Sequence, residues 1–472
     1  MTGASSQEQV ERALARMDEV EPLVAAVCTR DGAALDRARQ RDAEAADGRA
    51  RGPLHGVPVL VKDNVDTADL PTTAGSMVLA ARPLPTRDAT LVRRLREAGM
   101  VVLGKANLSE WANIRDESST SGWSAYGGLT RNPYALNRSA GGSSSGSGAA
   151  VAAGIASYAV GTETDGSITC PAAFNGCVGF KPTVGLVPTD GVVPVSHSQD
   201  SPGPLARTVR DAAAFLDVLA GPRDGRARFT SHAVAGRLAG KRIGVPRRDY
   251  WGYSPHADAC AERALELLSA AGAEVVDDTD LESMVDFDRD PELLVMLAEL
   301  REGLGRYLAG RPGDGPRTLE EVVGFNREHA DVELEHFGQS LFEAALEGPE
   351  VGSPAYAEAR DLCLRRARDE GIDAVLRGHR LDALVSPAYP PAMPIDLVNA
   401  EALTGSCSSP AAMAGYPLLT VPAGLRAGLP VAVSFWGTAG SEATLVEIAH
   451  GYEAARDADT GPLPEPTFRP FV

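Results

Sequence analysis

Three residues with nucleophilic or basic side chains stand in segments that suit acyl chemistry. Lys62 ends the apolar run Val-Pro-Val-Leu-Val, Ser143 is the first serine of Gly-Gly-Ser-Ser-Ser-Gly, and Ser167 ends Gly-Thr-Glu-Thr-Asp-Gly-Ser. A serine nucleophile needs a base within hydrogen-bond reach, and no histidine lies near either glycine-rich loop. The set therefore predicts a serine nucleophile, a serine relay and a lysine base.

A lysine acts as a base only when it is neutral, so its pKa must fall from about 10.4 through burial or a neighbouring cation. Lys62 follows an apolar strand, which places its amine at the rim of a buried sheet. The alternative role for such a lysine is that of a structural ion-pair partner. Cys170, three residues after Ser167, is an alternative nucleophile.

The glycine- and serine-rich run around Ser143 has two other interpretations, a flexible linker and a phosphate-binding loop. The run leads directly into an apolar helix, which argues against a linker. It lacks the Gly-Lys-Ser/Thr ending of a phosphate loop. The segment at residues 161–167 is equally typical of a plain strand-to-helix turn. Taken singly, therefore, each motif is a weak indication of catalysis.

Together the segments resemble the amidase signature family, in which a Ser–cis-Ser–Lys triad cleaves carboxamides. The resemblance implies that Lys62 is the general base, that Ser143 is a bridging serine held through a cis peptide, and that Ser167 is the nucleophile. It implies an oxyanion hole made by the backbone N–H groups of Thr164, Asp165, Gly166 and Ser167. The resemblance extends over most of the chain and includes the segments at residues 175–183, 201–209 and 414–424.

Two positions depart from many family members, which have glycine in place of Asp165 and arginine in place of Thr169. The variant resembles the peptide amidase branch, which hydrolyses C-terminal carboxamides of peptides, as do residues 107–113, 121–125 and 324–331. Asp165 is expected to contribute to the oxyanion hole through its backbone alone, so the change need not harm catalysis.

The resemblance predicts hydrolysis of a C-terminal peptide amide or amino-acid amide, through an acyl-enzyme, to acid and ammonia. One alternative is an amidase acting on another small aliphatic or aryl amide. A second is a glutaminase-type subunit of an amidotransferase, which passes ammonia to a partner. A third is a binding protein that keeps the fold without catalysis.

Several residues are candidates for contact with the substrate. The aromatic ones form either a wall of the cleft or a core cluster beneath a long loop. The candidates are Trp111, Trp123, Tyr126, Phe174 and Ser144.

The elements that must position these residues follow from hydrophobic periodicity. Helices are predicted within residues 7–48 (two of them), 147–156, 206–219 and 442–455, and strands at residues 57–61, 101–104, 157–160, 242–246, 381–387, 418–421 and 431–435, with a strand and turn at 180–188. Residues 283–375 are predicted to form a helical insertion or cap with a break at 310–316. We expect a single amidase domain of residues 1–472 in the α/β class, a large mixed β-sheet covered by helices on both faces.

Composition limits the partners. The 472 residues carry a net charge of −19 and are 44% hydrophobic, enough for a large core. The acidic balance argues against nucleic acid and anionic membranes, so the expected partner is a small-molecule or peptide amide substrate. No metal or cofactor is expected, and His329 and His336 are interpreted as solvated helix residues.

The predicted location is the cytoplasm. Six scattered cysteines without a Cys-x-x-Cys pair fit reduced thiols better than a disulfide framework. No signal peptide is recognised at the N-terminus, and no apolar run is long enough to cross a membrane.

Overall fold

The computed structural model describes residues 4–222 and 225–471. The strands in these residues are β1 (Val27–Arg30), β2 (Pro58–Lys62), β3 (Val101–Ala106), β4 (Trp123–Ser124), β5 (Gly128–Leu129), β6 (Arg131–Asn132), β7 (Ala135–Ser139), β8 (Tyr158–Glu163), β9 (Val178–Lys181), β10 (Ser201–Ala206), β11 (Arg242–Gly244), β12 (Glu274–Val276), β13 (Ala383–Pro387), β14 (Leu418–Arg426) and β15 (Leu429–Trp436).

The helices precede, follow and cover these strands. They are α1 (Ser6–Val24), α2 (Ala34–Ala46), α3 (Met77–Ala80), α4 (Thr90–Glu97), α5 (Ser145–Ala152), α6 (Thr169–Asn175), α7 (Val209–Ala220), α8 (Pro255–Ala270), α9 (Asp290–Gly310), α10 (Leu319–Glu328), α11 (Ala330–Glu333), α12 (Ser340–Glu347), α13 (Pro354–Leu364), α14 (Asp373–His379), α15 (Ser409–Ala414) and α16 (Glu442–Thr460). Short 3₁₀ turns lie at Glu110–Asn113 and Phe229–His232, and Arg365–Ile372 is π-helical.

One sheet dominates the fold. In the described residues it has eleven strands in the order β1-β3-β2-β8-β10-β9-β14-β15-β13-β11-β12. β2 runs parallel to β3 and β8, whereas β14 and β15 form an antiparallel pair. The predicted mixed sheet is confirmed.

The side chains of β2 point alternately to the two faces of the sheet, which explains why helices cover both faces. Val59 and Val61 pack into a cluster that includes residues of α4, α7, α8 and α16. Leu60 points the other way, into a cluster that includes residues of α1, α2 and α5. Successive side chains of a strand point to opposite faces, so an unbroken apolar strand needs a helical layer on each side. The predicted α/β class is confirmed.

The segment predicted as a helical insertion contains α9 to α13 and has a break between Gly310 and Leu319. Leu300, Leu304 and Leu308 of α9 pack with residues of α10 and α12 in a cluster that also includes Trp111. Division of the chain into one domain with an insertion stays a prediction.

One predicted helix begins too early. Residues 201–206 are strand β10 in the middle of the sheet, and α7 begins at Val209, where the Thr208 side chain accepts a hydrogen bond from the Asp211 amide. No strand was predicted at residues 201–206, where Pro202 and Pro204 stand, and proline is rare inside sheets because it lacks an N–H. Pairing of β10 with β9 starts only at Leu205, beyond both prolines.

A short strand also separates the two predicted N-terminal helices. Val27–Arg30 forms β1, an edge strand antiparallel to β3. In residues 4–222 and 225–471, each helix is too short or too polar to cross a bilayer.

Candidate active site

Lys62 and Ser167 lie at the same edge of the sheet because β2 and β8 are parallel neighbours. Leu60 pairs with Ala159, so both strands end on the same side. β2 ends at Lys62, and β8 runs into the turn that carries Ser167. Ligands of open α/β sheets bind outside the carboxyl ends of such strands. The third residue, Ser143, lies two residues before α5.

Lys62 is fully buried, and its amine has three oxygen atoms as neighbours. Nζ lies 2.8 Å from Ser143 Oγ, 2.9 Å from Thr162 Oγ1 and 3.2 Å from the Thr162 carbonyl oxygen. Thr162 Oγ1 also accepts a hydrogen bond from Asn64 Nδ2 at 2.9 Å. In the described residues, no carboxylate lies within ion-pair distance of this amine.

Burial lowers the pKa of Lys62 to about 7. The carboxylates of Asp200 and Glu163 oppose this shift from a distance, because negative charge favours the protonated amine. Desolvation dominates because the neighbouring oxygen atoms are neutral. The amine is therefore partly unprotonated at neutral pH, which meets the requirement stated for a lysine base.

The two serines are held close together through the backbone. The Gly142–Ser143 peptide bond is cis, as the resemblance implied. The Ser144 N–H donates to the Ser167 carbonyl oxygen at 3.1 Å, and the Ser109 N–H donates to the Ser143 carbonyl oxygen at 3.0 Å. Among residues 4–222 and 225–471, no hydrogen bond joins the Ser143 and Ser167 hydroxyl groups. Ser167 is 8% exposed.

The turn between β8 and α6 presents a row of backbone N–H groups. In the part of the chain that the structure describes, the N–H groups of Thr164, Asp165, Gly166 and Ser167 donate no hydrogen bond. The next two N–H groups, of Ile168 and Thr169, donate to Glu163 Oε2 at 2.7 and 2.9 Å. A row of free N–H groups in a turn favours an anion.

Gly166 gives this turn its shape. Its φ of +81° lies in the region that glycine adopts readily, and a Cβ there would lie 2.6 Å from Tyr389 Oη. A larger residue would push the turn away from Tyr389 and displace Ser167.

Sequence reasoning missed the residues that support this turn. Asp200 accepts a hydrogen bond from Thr164 Oγ1 at 2.6 Å and from the Val195 and Ser196 N–H groups at 2.9 and 3.1 Å. Burial raises the pKa of Asp200 to about 6. Glu163 and Thr162 lie inside the recognised motif. The sequence does not show, however, that Thr162 contacts the Lys62 amine or that Glu163 accepts hydrogen bonds from the turn.

Two of the aromatic candidates contact the predicted insertion, one through helix α12 and the other through the segment between α11 and α12. Trp111 packs edge-on against Phe342 with ring centroids 5.9 Å apart, and Trp123 packs edge-on against Phe337 at 5.1 Å. Both tryptophans are buried. These contacts fit the core-cluster alternative, and contact with substrate stays a prediction for both.

The other candidates lie elsewhere. Tyr126 Oη shares a hydrogen bond with Thr29 Oγ1 at 3.2 Å, and Phe174 packs edge-on against Tyr389 beside the Gly166 turn. Ser144 Oγ donates to the Thr162 carbonyl oxygen at 3.1 Å and accepts from the Thr162 N–H at 3.2 Å. That pair of bonds fastens the start of α5 to β8. A role of these three candidates in substrate binding stays a prediction.

The alternative nucleophile, Cys170, is buried in α6. Burial raises the pKa of its thiol well above the usual range. A thiol that holds its proton is a poor nucleophile.

Comparison with known proteins identifies the family and the fold. A protein-family model described as Amidase matches residues 8–446. The chain is 45% identical to the peptide amidase of Stenotrophomonas maltophilia, whose crystal structure superposes with a TM-score of 0.90 over 98% of this chain and 96% of that one.

The relatives found by sequence include amidases and subunits of an amidotransferase. A probable amidase of Arabidopsis thaliana is 36% identical, with 96% of this chain and 87% of the relative covered. One subunit of the glutamyl-tRNA(Gln) amidotransferase of Symbiobacterium thermophilum is also 36% identical, with 95% and 93% covered. This chain belongs to the amidase family. It is an amide-hydrolysing enzyme with the amidase signature fold, close in structure to peptide amidase.

Proposed function

We propose that this amidase hydrolyses the carboxamide at the C-terminus of a peptide or amino-acid derivative, with Ser167 as nucleophile, Ser143 as proton relay and Lys62 as base. The products are a carboxylic acid and ammonia. The observation that carries the proposal is a fully buried lysine whose amine contacts the Ser143 hydroxyl and has no carboxylate partner in the described residues.

The hydrogen bonds of Lys62 fit a neutral amine, which has two N–H donors and one lone pair. The Thr162 carbonyl oxygen only accepts, so it takes the first N–H. Thr162 Oγ1 has two lone pairs, one for Asn64 Nδ2 and one for the second N–H of Lys62. In this proposed neutral form, the lone pair of the amine faces Ser143 Oγ, 2.8 Å from Nζ, and accepts the hydroxyl hydrogen.

In the first chemical step, Lys62 takes the proton of Ser143, which takes that of Ser167 as Ser167 attacks the amide carbonyl carbon. The carbonyl π bond breaks, and its electron pair becomes the oxyanion. The step needs the two serine hydroxyls within hydrogen-bond reach. Catalytic hydrogen bonds are often long in the free enzyme and shorten when substrate binds.

The free N–H groups of Thr164, Asp165, Gly166 and Ser167 support an oxyanion hole. One such donor typically stabilises the transition state by about 3–4 kcal/mol. When the intermediate collapses, the relay returns the proton to the nitrogen and ammonia leaves. Water then attacks the acyl-enzyme by the same relay and releases the acid.

The substrate class rests on the 45% identity with peptide amidase, which exceeds the 36% identity with the amidotransferase relative. A panel of peptide amides, aliphatic amides, aryl amides and free glutamine tests it by ammonia release. We expect the highest kcat/KM for peptide amides. Turnover of another class without peptide amides would overturn this choice, and glutamine hydrolysis only with partner subunits would favour the amidotransferase alternative.

The nucleophile is tested by a pair of substitutions. Ser167→Ala is expected to lower kcat by about 10⁶-fold, as loss of a serine nucleophile does in proteases. Cys170→Ala is the matched control and is expected to keep activity. Labelling by a fluorophosphonate probe is expected in the wild type and lost in Ser167→Ala. Full activity in Ser167→Ala would contradict the proposal.

A further inference from the structure

Asp165 stands in the turn of the proposed oxyanion hole, where a carboxylate is unfavourable for the reaction. The tetrahedral intermediate develops negative charge beside this turn, and a like charge nearby raises its free energy. The Asp165 side chain is only 10% exposed, so water screens its charge weakly. Its charge therefore needs a counter-charge from the protein.

Arg289 supplies that counter-charge. It lies immediately before α9, 124 residues further along the chain, and its Nη2 donates to Asp165 Oδ2. Ser409 Oγ donates to the same oxygen atom at 2.9 Å. The Asp165 carboxylate is the largest cause that raises the pKa of Arg289 above its usual range.

The same guanidinium is held by a second, fully buried carboxylate. Arg289 Nη2 and Nε lie 2.8 and 3.0 Å from Glu292 Oε2. Glu292 Oε1 accepts from Gln199 Nε2 at 3.0 Å, and Gln199 Nε2 also donates to the Thr164 carbonyl oxygen at 3.4 Å. Two consecutive residues of the turn, Thr164 and Asp165, are thus tied to the first turn of α9.

We infer that Arg289 is a positioning residue for amide hydrolysis, which fixes Asp165 and neutralises its charge so that the turn's N–H groups can stabilise the oxyanion. The inference rests on the proposed function. In this way the start of the helical segment influences the transition state through Asp165. Arg289 acts through Asp165 and contacts no reacting atom.

The test compares Arg289→Met with the wild type, using a peptide amide as substrate. A displaced or charged oxyanion turn is expected to lower kcat by about 10²-fold, with little change in KM. Arg289→Lys keeps the charge without the planar guanidinium and is expected to recover part of kcat. Arg306→Met is the matched control, because Arg306 lies on α9 in an exposed ion pair with Glu302. It is expected to keep wild-type kcat.

The double variant Asp165→Asn/Arg289→Met separates positioning from mere structural support. Removal of the carboxylate removes the need for a counter-charge, so its kcat is expected to exceed that of Arg289→Met. Wild-type kcat in Arg289→Met would overturn the inference, as would a double variant no better than Arg289→Met at equal thermal stability. Activity in Ser167→Ala would instead overturn the proposed function, so the two failures are distinguishable.

Discussion

Two lysines on adjacent strands of the sheet have opposite surroundings. Lys62 ends β2 and Lys105 lies near the end of β3, and both are fully buried. The amine of Lys105 lies 3.2 Å from Asp63 Oδ1 and donates to the Val65 and Pro71 carbonyl oxygens at 2.8 and 2.9 Å. Among the residues that the structure describes, the amine of Lys62 has only hydroxyl and carbonyl oxygens around it.

The difference shows what makes a buried lysine a base. A buried ammonium is costly unless a carboxylate pairs with it, and without such a partner the amine loses its proton instead. Asp63 compensates the charge of Lys105. Burial lowers the pKa of Lys62 to about 7, and the more distant carboxylates of Asp200 and Glu163 offset this only in part.

The largest expected effect is a loss of catalytic activity on substitution of Lys62, the lysine without a carboxylate partner in the described residues. Lys62→Met is expected to lower kcat by about 10²–10⁴-fold, because general base catalysis is lost. The free energy of unfolding is expected to change by less than about 2 kcal/mol, because the partners left behind are neutral. Ammonia release and urea unfolding measure both quantities. A variant with more than a tenth of wild-type kcat would contradict the assignment of Lys62.

The second effect concerns stability. Lys105→Met is expected to lower the free energy of unfolding by about 3–5 kcal/mol, because it leaves the Asp63 carboxylate buried without a counter-charge. Addition of Asp63→Asn is the control and is expected to recover part of the loss. Urea unfolding at pH 7 measures each variant. A loss below about 1 kcal/mol would mean that the Lys105–Asp63 pair is not the structural ion pair described above.

The third and smallest effect is a shift in pH dependence. The active form of Lys62 is neutral, so kcat/KM is expected to rise about tenfold per pH unit up to a pH of about 7 and then level off. Anionic Asp200 favours the protonated amine, so Asp200→Asn is expected to move this inflection to lower pH. A pH profile of kcat/KM for both proteins measures the shift. An inflection that stays in place or moves upward would contradict the influence of Asp200.

Much of the sheet could be predicted because its strands are apolar runs. β2, β3 and β8 were recognised in this way, whereas β10 was not, because Pro202 and Pro204 are typical of turns. Proline is tolerated at these two positions because β9 pairs with β10 only after them, from Leu205 onward. The sequence does not show which strands become neighbours in the sheet.

The residues of the site also divide into those that the sequence predicted and those that it did not. Lys62, Ser143 and Ser167 lie in short motifs whose residue types indicate the chemistry. Arg289 could not be found, because nothing near it in sequence points to Asp165, 124 residues away. Ion pairs of this kind depend on how the chain folds back on itself.

The sequence by itself determined which functional groups are present and the class of reaction that they serve. It did not determine which buried lysine has a counter-ion, because both lysines follow apolar strand residues. Asp63 is the residue next to Lys62, yet it pairs with Lys105. Asp63 lies in the turn after β2, and the pairing of β2 with β3 places Lys105 beside it. Only the tertiary structure therefore brought that carboxylate to the neighbouring strand's lysine and left Lys62 without a counter-ion among the described residues.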